Sequence, residues 1–407
     1  MAVVTIVFTS VAGAQAQSQR LQAFQNVVMK NEALYRELMH SDRHQEAVAP
    51  LTTLINLFDT TTIYKEISIP EAAIRGQKGL YYYDLACCYA LMGQKTKGRS
   101  HREQALQALG QSVANGYKDY NNMLNDNDLL SLRKDKRFQT LLAEVKSRRP
   151  LEVLKQSAPY AKDASEGTVK FLYQPLESMN LRMVREYFSL DSVAGQGDEL
   201  SKIINLLHFA HDKIRHDGAN RAFVELDAID LYNYCKATGK GVNCRQLAIA
   251  LCEMYLSMGM PARYVTCMPA DPNDYECHVI NTVWSEQLQK WLYIDPTMDA
   301  WVTDENGVML SIAEVRERLR TDRALVLCET ANWNHETPQT KEHYLDEYMS
   351  KNLYYFVCKK ISRFNPESLY RTNDPADDVK LVPEGFVCEN WTCDTTTDPD
   401  VFWARPE

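Results

Sequence analysis

Three side chains follow one another in an order that would support nucleophilic chemistry: Cys244, His278 and Asp295. A thiolate attacks, an imidazole carries the proton and a carboxylate orients the imidazole, which is the set that acyl transfer through a covalent intermediate requires. Cys244 follows Gly241-Val242-Asn243, a turn residue and an N-cap, and precedes Leu247, Ala248, Leu251, Met254, Tyr255 and Met258. That spacing predicts one face of a helix that closes at Gly259, with Met260-Pro261 ending it. The cysteine then opens the helix, where free N–H groups and the positive dipole end favour thiolate over thiol.

The other two residues fall on predicted strands. Ala262–Cys267 reads as a strand, and a polar loop from Pro269 to Tyr275 leads to a second strand over Glu276–Trp284. Ser285–Lys290 forms a short loop, and Trp291–Asp295 returns before Pro296. With the loop midpoint between 287 and 288, His278 sits on the same face as Asp295, about one diagonal neighbour away. A slip of one residue would put the two on opposite faces.

The succession GVNCRQLAIAL, GMPARYV, ECHVINTVW and KWLYIDPTMD resembles the bacterial transglutaminase-like superfamily over roughly residues 200 to 300. The core of that family is similar to papain-like cysteine proteases. The resemblance implies an α+β fold in which the helix bearing Cys244 packs on an antiparallel sheet bearing His278 and Asp295, with these three as the catalytic residues. It also puts Trp284 and Trp291 at the aromatic positions of the family's hairpin, with sheet-face packing as the plainer role. Family members often supply an oxyanion-hole donor from a side chain upstream of the cysteine. No residue here matches that role, so the backbone N–H of Cys244 is the expected donor.

The rest of the chain sets the context. Its 407 residues suit two or three domains, and 45% hydrophobic with 24% charged residues is a globular composition. A net charge of −9 with acids and bases interspersed argues against nucleic acid and anionic membrane as partners. Residues 1–16 resemble a signal peptide without its basic leader: Val3–Ala14 is apolar, and Ala12-Gly13-Ala14 and Ala14-Gln15-Ala16 fit small-x-small cleavage sites. The expectation is an exported protein, periplasmic or extracellular, with no membrane span. Eleven cysteines, an odd number, suit an exported protein with one free thiol; Cys388 and Cys393 could close a local loop. No Cys-x-x-Cys or paired-histidine pattern calls for a metal, and no cofactor motif is present. His208 and His211 share a helix face, but His216 falls about 140° away by helical spacing, so no metal site is expected and the three are read in solvated or core-edge roles.

Residues 18–149 read as helical. Tyr82, Leu85, Ala86 and Tyr89, then Ala105, Leu109 and Ser112, resemble one tetratricopeptide-like hairpin, which implies a packed cap or a docking module for a protein partner. Residues 165–330 would form the transglutaminase-like domain, with helices over 198–215, 230–237 and 312–319, the last with its charges outward. Residues 331–407 are expected as an aromatic-rich extension packing on the core, with Asn332–Arg363, alternatively, as an aromatic wall for a glycan or peptide. The function these readings point to is an exported cysteine-dependent amide hydrolase or acyl transferase, acting through a thioester on a peptide or cell-wall-type amide. Hydrolysis is preferred over crosslinking, because no calcium-loop run occurs. The alternative is a non-catalytic scaffold that uses the same fold and the helical module to hold a protein or glycan partner.

Overall fold

Helix formation in the first half of the chain follows from its long runs of Ala, Leu, Gln, Glu and Tyr, broken only by turn residues. In the computed structural model, which describes residues 14–60, 70–96, 99–162, 169–272, 274, 276–367, 377–388 and 392–406, the chain divides into two compact units, Met1–Arg149 and Pro150–Glu407. Residues 1–13 of the signal-peptide-like segment lie outside the described residues, and Ala14 already begins the helix Ala14–His40. No described helix is long and apolar enough to cross a membrane.

The first unit is built from helices Ala14–His40, His44–Thr60, Glu71–Thr96, Arg99–Ala114 and Lys136–Ser147. Glu71–Thr96 lies between His44–Thr60 and Arg99–Ala114, so it is buried on more than one face: Tyr81, Tyr83, Leu85, Ala86, Cys87, Cys88 and Ala90 are all inside. A side chain at Gly79 would meet the Ser112 carbonyl oxygen at 3.2 Å, and the Ser112 hydroxyl donates to the Gly79 carbonyl at 2.7 Å. The helical hairpin closes at that glycine–serine contact.

The second unit is an eight-stranded sheet backed by helices. Its strands are β1 (Ala262–Met268), β2 (His278–Ser285), β3 (Lys290–Asp295), β4 (Ala300–Thr303), β5 (Val326–Leu327), β8 (Tyr355–Lys359), β9 (Asp378–Leu381) and β10 (Asp394–Thr396), in the order β10-β9-β8-β1-β2-β3-β4-β5. All pairs are antiparallel except β9–β10. A separate small hairpin joins β6 (Asn332–Trp333) to β7 (Thr337–Pro338). The β2–β3 pairing runs from Ser285↔Lys290 to Asn281↔Ile294, the register expected from a midpoint between 287 and 288. Trp284 and Trp291 face each other across it with ring centroids 5.6 Å apart.

Two expectations need correction. Residues 331–407 do not wrap the core as an extension, because three of the eight strands come from them. β1 is buried along almost its whole length and flanked by β2 on one edge only, so its other edge needs a partner for its N–H and C=O groups; β8 supplies it. The predicted helix forms over Ile312–Arg320 with a Ser311–Glu314 capping box, but its charges do not all point outward. Arg316 is buried, donating from Nε to the Leu353 carbonyl (2.9 Å) and from Nη2 to Ser157 Oγ (3.0 Å), with its guanidinium 4.2 Å from the Tyr160 ring centroid.

Helix Cys244–Ser257 is likewise more deeply placed than its periodicity predicts. Every residue from Gln246 to Ser257 is buried, because β1 and β2 cover one side and helices Met179–Tyr187, Glu199–Lys213 and Ala228–Thr238 cover the others. A helix surrounded in this way is a rigid base for whatever stands at its first turn.

Candidate active site

Asn243 has extended backbone and its side chain accepts from the Gln246 N–H at 3.0 Å, so Cys244 is the first residue of its helix. Gly241 just before it is required by close approach. A Cβ there would stand 2.7 Å from the His216 carbonyl carbon and 2.8 Å from both the Arg215 oxygen and the Asp217 nitrogen, which are backbone atoms that cannot step aside. The two segments are zipped by Val242 N–H to Arg215 O (2.8 Å) and Asp217 N–H to Val242 O (2.7 Å).

His278 opens β2, opposite Cys267 of β1, and its Nε2 lies 2.7 Å from Asp295 Oδ2 at the end of β3. Both side chains are inside, at 1% and 0% exposure. The Asp295 carboxylate takes two further donors: the Thr297 N–H at 2.8 Å on Oδ1 and the Tyr344 hydroxyl at 2.6 Å on Oδ2. Tyr344 is itself 2.6 Å from the Tyr293 hydroxyl. With Nε2 committed to Asp295, His278 Nδ1 is buried and makes no hydrogen bond, so it is the ring nitrogen left free for proton transfer. The Tyr348 ring covers the imidazole edge-on, with centroids 5.2 Å apart.

The electrostatics follow from these contacts. Burial alone would raise the Cys244 thiol, but hydrogen bonds from His216 and His278, the charge of His278 and the Val279 N–H outweigh it and bring the thiol down to about 5. Burial opposes the charged form of His278, yet the adjacent Asp295 carboxylate holds its pKa well above the ordinary value. Asp295 is lowered in spite of its burial by the same ion pair together with Tyr344 and Thr297. Other cysteines do the opposite: burial pushes Cys252 up to about 12 and Cys358 up to about 11. A thiolate–imidazolium pair with an attached carboxylate is what this arrangement can sustain near neutral pH.

The structure thus brings Cys244, His278 and Asp295 to one place. It also shows what the sequence did not. His216, expected in a solvated or core-edge role, reaches Cys244 from its loop, because the Gly241 contact presses that loop against the start of the helix. The order of residues around His216 held one clue, the loop preceding the helix, but no spacing that selects one side chain within it. Tyr344, 49 residues beyond Asp295, had no local signal. Of the aromatic residues in 332–363, Tyr344 is buried behind Asp295 and lines no substrate wall. The cysteines need a further correction: all eleven are free, Cys388 and Cys393 included. Cys87 and Cys88 belong to the helical core, and Cys235, Cys252, Cys267 and Cys358 to the cores of the second unit, where each packs as a small apolar residue.

Comparison with known proteins adds three findings. A 62-residue stretch is 39% identical to a chloroplastic protein of Arabidopsis thaliana, covering 15% of this chain and 16% of that protein. A solved Cytophaga hutchinsonii structure, titled as a candidate cysteine protease, aligns with 39% of this chain and 51% of its own at 16% identity; its TM-score of 0.23 is too low to bear on fold or function. The sequence model of the transglutaminase-like superfamily core matches residues 187–296. That stretch carries the Cys244 helix and the β2–β3 hairpin, so the similarity to the transglutaminase-like core spans Cys244, His278 and Asp295.

Proposed function

We propose that this protein is a cysteine-dependent amide hydrolase or acyl transferase in which Cys244 is the nucleophile, His278 the proton carrier and Asp295 the group that orients it. The observation that carries this reading is Cys244 at a capped helix N-terminus together with a buried His278 whose Nε2 is held 2.7 Å from the Asp295 carboxylate, an arrangement that lowers the thiol pKa. The thiolate adds to the amide carbonyl, and the carbonyl π pair moves to oxygen, where the Cys244 N–H can receive it. As the intermediate collapses, the C–N bond breaks and His278 Nδ1–H gives its proton to the departing amine. Water, deprotonated by the same nitrogen, resolves the thioester in hydrolysis; an amine resolves it in transfer.

Hydrolysis of a peptide or cell-wall-type amide is the preferred outcome, and export is supported by the apolar Val3–Ala14 run with its small-x-small sites. The helical unit is proposed to hold a protein partner. A scaffold without catalysis is the second reading; an intact Cys, His and Asp set weighs against it.

Treatment with iodoacetamide between pH 4 and 9, followed by mapping among the eleven cysteines, tests the proposal. Cys244 is expected to label first, with a rate that rises through pH 5, and Cys244→Ser is expected to abolish turnover of any substrate found. Preferential labelling at another cysteine with Cys244 inert in the folded protein would sink the catalytic reading.

A further inference from the structure

The two residues that follow Cys244 hold down two separate segments of the chain. Gln246 is buried; it accepts from the Ala222 N–H through Oε1 (3.0 Å) and donates to the Ala222 carbonyl through Nε2 (2.8 Å). One side-chain amide that makes both bonds to one residue fixes that residue's backbone in position and direction. Arg245 donates from Nη1 to Glu367 Oε1 and from Nη2 to Thr266 Oγ1, both at 2.9 Å. The two segments are also tied to each other, because the Leu226 N–H donates to Asn365 Oδ1 at 2.9 Å.

Each segment presents a phenylalanine to solvent. Phe223 directly follows Ala222 and is 77% exposed; Phe364 directly precedes Asn365 and is 42% exposed. Single apolar side chains scattered over a surface are ordinary. These two differ in that their backbone is fastened to the first turn of the Cys244 helix, so the rings keep one place relative to the nucleophile. Phe223 is one residue from the group that Gln246 holds, and Phe364 is three residues from Glu367, a span of at most about 11 Å. The charged groups of the helix turn and of the second segment are paired, Arg245 with Glu367 and Arg363 with Asp377 (3.1 Å). What the two rings offer a ligand beside Cys244 is apolar surface.

We propose that Phe223 and Phe364 determine specificity: they are two walls that hold an apolar side chain of the substrate on the acyl side of the scissile amide. The proposal rests on the catalytic reading of Cys244. The acyl half is the one that becomes bonded to sulfur, and it stays there until the thioester is resolved. Walls fastened to the first helical turn therefore act on that half from attack to release. Burying a side chain of Leu or Phe size against them favours it over glycine by roughly 10–10²-fold. A charged side chain would lose water there without gaining a partner.

The test uses the full-length protein and amino-acid chloromethyl ketones, whose chloride the Cys244 thiolate displaces. Rates of Cys244 alkylation are compared for the N-acetyl-phenylalanyl, N-acetyl-glycyl and N-acetyl-aspartyl reagents, and the ratio within each protein is the quantity read. Wild type should prefer the phenylalanyl over the glycyl reagent by roughly 10–10²-fold. Phe223→Ala and Phe364→Ala should each lower that ratio severalfold, and the double variant should bring it close to one. Phe223→Leu, which keeps an apolar wall, should retain most of it. Three results would overturn the proposal: a wild-type ratio near one, a ratio unmoved in the double variant, or a preference for the aspartyl reagent, which the exposed Arg221 beside Ala222 would favour.

A second readout does not depend on the thiol. In Cys244→Ser protein carrying 4-fluorophenylalanine, the fluorine-19 resonances of Phe223 and Phe364 are assigned by their loss in Phe223→Leu and Phe364→Leu. Both should move on addition of N-acetyl-phenylalaninamide and stay in place with N-acetylglycinamide. Resonances that stay fixed with both compounds would defeat the proposal even where Cys244 labels. Failure of wild-type Cys244 to react with any of the reagents, iodoacetamide included, would instead defeat the catalytic reading. The fluorine shifts would still decide by themselves whether the two rings hold an apolar side chain.

Discussion

Two His–Asp pairs stand at the two ends of one turn. His278 meets Asp295 at the end of β3, and His208 meets Asp299 just before β4, each with a shortest N–O distance of 2.7 Å. Distance does not separate them; surroundings do. The first pair is sealed, at 1% and 0% exposure, and its imidazole keeps a nitrogen for a sulfur. In the second, His208 is one-third exposed, packs edge-on against Trp301 with centroids 5.8 Å apart, and has no thiol partner. Its hydrogen bond to Asp299 raises the His208 pKa against the opposing effect of burial. A buried pair must have every remaining lone pair satisfied, which explains why Asp295 recruits Tyr344 and Thr297.

Asp295→Asn is the hardest blow to this contrast. The amide removes the charge that holds His278 protonated and favours the wrong tautomer, so turnover should fall by about 10²–10⁴-fold, less than in Cys244→Ser. The iodoacetamide profile of Cys244 should move to higher pH in the same variant. An unchanged profile with full activity would reduce the site to a Cys–His pair and make Asp295 a turn residue. The folded-state pKa of Asp295 is depressed, so its stabilisation is present above the unfolded value of about 3.9 and is lost as pH falls through the folded value. Denaturant midpoints for wild type and Asp295→Asn should therefore converge in acid.

Tyr344→Phe is gentler. It deletes one of three donors to Asp295 and leaves the buried Tyr293 hydroxyl without its 2.6 Å partner, which should cost about 1–3 kcal/mol of stability. Activity should drop only severalfold, and a loss as large as that of Asp295→Asn would mean Tyr344 has a direct part in the chemistry. Smallest of all should be Asp299→Asn, which keeps a residue tolerant of the left-handed backbone found there (φ 47°). The raised His208 pKa contributes stability below its unfolded value of about 6.5, lost as pH rises through the folded value. A loss of up to about 1 kcal/mol near pH 6, shrinking by pH 8, with turnover unchanged, is the expected result. An activity defect in Asp299→Asn would erase the distinction between the two pairs.

What the sequence made legible was whatever is written locally. Asn243 and the apolar spacing after Cys244 announce a helix start, and the symmetric Trp284–Trp291 flanks give the β2–β3 register, which carries His278 to Asp295. Contacts closed across long separations had no such trace. Tyr344 finds Asp295 and Trp333 finds His216 because β8 must cover the free edge of β1, which draws residues 332–359 back into the sheet. A run rich in Tyr, Trp and Phe reads equally well as a wrap or as a strand until that edge is known. Arg316 deceived for a similar reason: on a short helix with alternating charge nothing distinguishes the buried arginine that donates to the Leu353 carbonyl from its neighbours.

The late return of residues 332–359 also has a consequence in time. A ribosome adding about 5–20 residues per second needs roughly 2–10 s to go from Asp295 to Tyr344, and longer before β8 clears the exit tunnel. Throughout that interval the nascent chain carries Cys244, His278 and Asp295 but lacks the indole over His216, the hydroxyl on Asp295 and the strand that seals β1. Its thiol should behave as an ordinary cysteine while neighbouring chains are still being made, and acquire its acidity only when synthesis of the sheet is finished.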